Sequence, residues 1–165
     1  MTGHNRLKYW IDTAARHAVQ LPAHDSTLVI PAMAAAMEHL GFAPTIPITY
    51  TQPYSLARQL STLDHLTEGR VAWNVVTSYL ESEAVNLGLD GRLPKALRYD
   101  RADEFLEVVY KLWEDSWEDG AVPHDRENDV FVDADKVHMI NHQGGVFQCS
   151  RPTSCGTLPP NVRGH

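Results

Sequence analysis

The 165-residue sequence has little cysteine, no long hydrophobic run and no excess of basic charge. Its 2 cysteines, Cys149 and Cys155, are too few for a disulfide scaffold and are read as free, reduced thiols. The longest nearly apolar run, Leu28 to Met37, is about half of the roughly 20 residues a membrane span needs, so no membrane helix is expected. Met1 to Trp10 has charges with no apolar stretch behind them, which argues against a secretory signal and for a cytoplasmic protein. Lys and Arg total 14 against 21 Asp and Glu, a formal charge of −7. No basic stripe is available to displace phosphate counterions, and nucleic-acid binding is disfavoured. Gly-x-Gly-x-x-Gly, P-loop and nucleophile-elbow motifs are all missing. Among 9 histidines, His138 and His142 have helical spacing but fall in a segment read as a hairpin, so no metal site is expected.

What is present is ordinary globular composition, with 43% hydrophobic and 21% charged residues, enough for one domain. A complete eight-fold α/β barrel needs about 250 residues, so the chain has room for only part of one. Apolar residues at Leu28, Ala32, Met33, Ala36, Met37 and Leu40 mark a helix closed by Gly41. Ala43 to Tyr50 alternates like a strand, although its prolines oppose that reading. Pro53 suits a helix start, and Leu56, Leu60 and Leu63 share a face up to Gly69. Val71 to Val76 is expected as a strand buried on both faces. A helix follows from near Ser78 to Gly88, and another from Tyr99 to Trp113. Strand, helix, strand and helix in this order predict parallel βαβ units. Beyond an acidic surface stretch, Val137 to Ile140 and Val146 to Cys149 flank a five-residue turn, which predicts a hairpin. Ser150 to His165 has no periodicity and is expected to be loose.

Ligands of parallel α/β folds gather at the C-terminal ends of strands, where loops converge and helix N-termini point inward. That rule selects Thr49 to Gln52 and Asn74 to Ser78, whose hydroxyls and amides suit a phosphate or a heterocycle. From spacing alone, Thr77 or Ser78 is read first as the N-cap of the following helix. Lys95 and Tyr99 are read in or beside the loop leading into the long helix, where an amine meets a phosphate or is simply solvated. Glu104 and Glu107 read as a solvated helix face.

The stretch Gly69-Arg70-Val71-Ala72-Trp73-Asn74-Val75-Val76-Thr77-Ser78-Tyr79-Leu80, followed by Ala84-Val85-Asn86-Leu87-Gly88, resembles the signature of the bacterial-luciferase-like flavin monooxygenases. It is most similar to the branch with nitrilotriacetate monooxygenase component A, dibenzothiophene-sulfone monooxygenase and long-chain alkane monooxygenase. Supporting blocks are Glu38-His39-Leu40-Gly41, Ser61-Thr62-Leu63-Asp64-His65-Leu66 and Arg98-Tyr99-Asp100-Arg101-Ala102-Asp103-Glu104-Phe105. The match runs collinearly from about Gln20 to Cys149. The resemblance implies an α/β fold that is a partial (β/α)8 barrel, with residues 1–149 as the domain and 150–165 as an unmatched tail. It implies reduced FMN supplied by a separate NADH-dependent flavin reductase, dioxygen as oxidant, and a small organic substrate. Carried over by position, the flavin contacts fall on Thr45, Tyr99 and the Asn74 to Thr77 strand exit, with Lys95 where relatives usually have histidine. Lys95 still suits an anion but is no neutral acceptor at pH 7. No counterpart of the family's first strands precedes Ala18, and nothing after Cys149 matches. The chain is therefore expected to be an inactive fragment with a possible homo-oligomeric state. The competing expectation is a non-catalytic interaction protein built on a half-barrel remnant.

Overall fold

The computed structural model describes residues 12–19, 24–78 and 80–154. Cys155, and with it any statement on the second thiol, lies outside them; Cys149 is free and half-buried. Among the described residues no helix is long and apolar enough to cross a membrane.

Helix α1 spans Ser26–Ala36. The Asp25 carboxylate caps it by accepting from the Thr27 amide at 2.9 Å. It ends before the expected Gly41 because Met37 turns extended. Arg70 then takes the freed carbonyls, donating to Met37 at 2.5 Å, to Leu40 at 3.3 Å and to Ala34 at 3.3 Å. Strand β1 is Thr45–Pro47, shorter than the alternating segment because Pro44 and Pro47 have no amide to donate. Helix α2, Pro53–Thr67, begins with proline at its first turn, as expected. It stops at Glu68 and Gly69, whose positive φ of 55° and 81° form a left-handed cap.

Strand β2, Asn74–Val76, pairs parallel to β1 with Thr45 opposite Asn74, Ile46 opposite Val75 and Pro47 opposite Val76. The expected βαβ unit is therefore present. Hydrogen bonds carry the pairing past the strand ends, from Phe42 N to Arg70 O at 2.8 Å through to Ile48 N to Val76 O at 3.1 Å. The expectation that β2 is buried on both faces fails, since Val75 is 41% exposed. Helices cover only one side of this two-stranded sheet. A closed barrel is not formed by the described residues.

Helix α3 is Glu81–Asn86, with Leu80 rather than Thr77 or Ser78 at its N-cap. Helix α4 runs Lys95–Tyr110 and continues into a π-helical turn at Lys111–Asp115. It starts four residues before Tyr99, since Pro94 sits at the N-cap with φ fixed at −51° and Lys95 to Arg98 are good helix formers. Lys95 therefore lies in the helix and not in the loop before it, and Tyr99, expected at the head of the helix, stands one turn inside it. The core packs Leu56, Leu60 and Leu63 of α2 against Ala102, Phe105 and Val109 of α4, with Ile48, Val71 and Phe42 beneath. Trp73 closes it, donating from Nε1 to the Ile46 carbonyl at 3.1 Å and meeting Trp113 edge-on at 6.5 Å.

The C-terminal hairpin exists but is shifted. Strand β3 is His142–Gln143 and β4 is Gln148–Cys149, with His142 opposite Cys149. Val137 instead forms an antiparallel bridge to Trp117. The cause is long-range: the Glu104 carboxylate accepts the amides of Val146 at 3.0 Å and Phe147 at 2.6 Å, drawing the turn onto α4.

Candidate functional site

The C-terminal ends of β1 and β2 and the first turns of α4 enclose a cleft of about 730 Å³. Its wall is mostly apolar, from Pro47, Ile48, Val75, Val76, Leu80 and Leu106. Thr45, Thr77, Ser78 and Tyr99 bring hydroxyls to it, and Glu83 and Asp103 bring carboxylates. Three of the five residues singled out in the sequence therefore meet here: Thr45 from β1, Thr77 from the exit of β2, and Tyr99 from α4. Because α3 is capped at Leu80, the hydroxyls of Thr77 and Ser78 are not spent on a helix N-terminus.

Asn74 is not on the cleft wall. Parallel register sets it beside Thr45, and its Nδ2 donates to Thr45 Oγ1 at 2.9 Å. That bond uses one lone pair of the threonine and leaves its proton for another acceptor. Lys95 is also off the wall, one helical turn before Tyr99, with Nζ 5.7 Å from the Tyr99 ring centroid. This cation–π contact puts a positive charge at the Tyr99 end of the cleft.

Sequence reasoning missed the burial of two groups and misread a third. Ser78 was read as part of a polar strand exit or as a helix N-cap, yet it is 4% exposed with its Oγ unpartnered among the described residues. Arg98 passed as one letter of a motif, yet it is 7% exposed and donates from Nη1 to the Ser78 carbonyl. Glu104, read as a solvated face, holds the hairpin instead. Burial pushes its carboxyl up, but the amides of Phe147 and Val146 and the imidazole of His142 outweigh that and hold it below the usual range. One signal was available for Arg98: a lone arginine at the apolar face of a helix must find a buried acceptor.

Arg101 fastens the other strand exit. Its Nε donates to the Thr49 carbonyl at 2.7 Å, and its guanidinium lies 4.4 Å over the Phe147 ring. The two arginines thus tie both strand ends to one helix. Such an arrangement gives a preformed cleft with an apolar floor and convergent hydroxyls, suited to a flat heterocycle with a polar tail.

Comparison with known proteins identifies relatives of the chain and of its fold. Dimethyl-sulfide monooxygenase of Hyphomicrobium sulfonivorans is 58% identical over 137 residues, covering 83% of this chain and 28% of that protein. Long-chain alkane monooxygenase of Geobacillus thermodenitrificans is 54% identical over 148 residues, 90% of this chain and 34% of the relative. The crystal structure of a long-chain alkane monooxygenase superposes with a TM-score of 0.85 at 53% identity, covering 92% of this chain and 35% of that one. The chain thus spans between 28% and 34% of the length of these two curated relatives. Residues 9–153 match the family described as luciferase-like monooxygenase, and the chain belongs to that family.

Proposed function

We propose that this chain carries part of the flavin site of a two-component monooxygenase, in which reduced FMN from a separate NADH-dependent reductase and dioxygen oxygenate a small organic substrate. The observation that carries this reading is the convergence of Thr45, Thr77 and Tyr99 on one apolar cleft at the strand ends. The residues present fit the group: the apolar wall suits an isoalloxazine, and the orphaned Ser78 hydroxyl calls for a polar ligand atom. When bound, reduced FMN supplies the electrons that activate dioxygen.

The protein's own residues bind and orient. Ile48, Val75, Val76 and Leu106 exclude water from the ring, while Thr45, steadied by Asn74, and Thr77 hydrogen-bond its polar edge. Tyr99 and Lys95 serve the phosphate end, where a hydroxyl donor and a cation are complementary to a dianion. FMN is chosen over FAD because no dinucleotide fingerprint is present. The test is an anaerobic equilibrium titration of the chain with reduced FMN and reduced FAD. Tighter binding of FMN is expected, and equal affinity for the two would overturn the cofactor assignment.

A further inference from the structure

The junction where β2 leaves the sheet and α4 begins holds two buried polar side chains, Ser78 and Arg98, whose pairing the reading above does not explain. Arg98, in the first turn of α4, donates from Nη1 to the backbone carbonyl of Ser78. Among the described residues neither Arg98 Nε nor Ser78 Oγ has a hydrogen-bond partner, although both atoms are buried. Burying an unpaired hydroxyl and a cation beside each other opposes folding, because water would have bonded both. Core packing does not call for this pair. The cleft does, since Ser78 lines it and Tyr99, the residue after Arg98, lines it from the helix side.

We propose that Arg98 is a positioning residue and Ser78 a further binding residue of this cleft. The guanidinium ties the Thr77–Ser78 strand exit to the first turn of α4, so the Ser78 hydroxyl and the Tyr99 phenol face one ligand at a fixed separation. A ligand oxygen reaching Ser78 Oγ satisfies an atom that the protein leaves unpaired. The Ser78 carbonyl, not its hydroxyl, is what Arg98 holds, which is why the hydroxyl stays available. This inference rests on the cleft being the flavin site.

The experiment compares wild type, Arg98→Lys and Ser78→Ala by two readouts: hydrogen exchange of the Thr77 and Ser78 amides without ligand, and the dissociation constant for FMN. Arg98→Lys is expected to speed exchange at those two amides about tenfold and to weaken FMN by about tenfold. Ser78→Ala is expected to weaken FMN by about three- to tenfold, one hydrogen bond's worth, with exchange unchanged. Wild-type exchange in Arg98→Lys overturns the positioning role. So does a uniform rise across α2 and α4, which marks a general loss of stability. Wild-type FMN affinity in Ser78→Ala overturns the binding role. Absence of FMN binding by the wild type refutes the flavin reading and with it the role given to Ser78, while the exchange arm still decides the fastening by Arg98.

Discussion

Asp64 is 1% exposed on α2, and burial raises its carboxyl to about 6, against the opposing influence of His65 and the Val71 amide. Its ionised form is therefore disfavoured in the folded state. Below about pH 4 the group is largely protonated whether folded or not and has little effect; between about pH 4 and 6 the unfolded chain ionises while the folded one does not, so stability falls over that range and levels off above it. Asp64→Asn is expected to melt higher than wild type at pH 7, by up to about 3 kcal/mol of stability, with the difference vanishing near pH 4. Thermal melts of both proteins from pH 4 to 7 decide this, and a constant difference refutes it. At the cleft, Tyr99→Phe and Thr45→Ala are each expected to weaken FMN by about 1 to 2 kcal/mol, the cost of one buried hydrogen bond. Lys95→Ala should weaken it in a way that fades with added salt, because its amine is exposed. Unchanged titration curves for all three variants would mean that the carried-over positions do not hold the flavin.

At the scale of elements, the hairpin depends on one residue having no side chain. A Cβ on Gly144 would stand 2.0 Å from Glu104 Oε1 and 2.7 Å from His142 Nε2. Gly144→Ala must therefore displace the carboxylate from the Val146 and Phe147 amides, and a loss of about 1 to 3 kcal/mol is expected in denaturant unfolding. A neutral result would show that Glu104 does not hold the turn. This contact also explains what the sequence showed and what it hid. The βαβ unit was legible because its signals are local: alternation around Ile46 and Ile48, proline at the start of α2, glycine at its end. The register of the hairpin was not, since it is set by Glu104, 43 residues before Phe147. Of the cleft hydroxyls, Thr77 and Ser78 were legible from the strand-end rule and Thr45 and Tyr99 from the family resemblance, whereas the bonds of Arg98 and Arg101 were not legible. Arg101 bonds a carbonyl 52 residues away, and no window of periodicity reaches so far.

For the whole molecule, the described sheet has two strands, so β1 and β2 each keep a free edge. Apolar side chains also face outward, with Leu28 at 78% and Leu66 at 59% exposure. Free edges and apolar patches favour association. Size-exclusion chromatography of the 165-residue chain is expected to show a concentration-dependent shift to larger species. With FMN, NADH and a flavin reductase, no oxygenated product is expected from the relatives' substrate classes. A monodisperse monomer that turns over substrate would contradict both.

Arg70 bears on the order in which this molecule comes together. Its guanidinium reaches Ala34, Met37 and Leu40 at the end of α1, while its Nε donates to the Thr67 carbonyl at 2.7 Å at the end of α2. The last carbonyls of α1 thus find their donor only after the α2–β2 turn has closed. During synthesis the end of α1 emerges about 30 residues before the side chain that finishes it, a gap of a few seconds at ordinary ribosome speeds. The βαβ unit is therefore expected to form early and α1 to dock on it late. Arg70→Met should accordingly speed unfolding with little effect on the folding rate in a chevron experiment. An equal slowing of folding would place α1 in the nucleus instead.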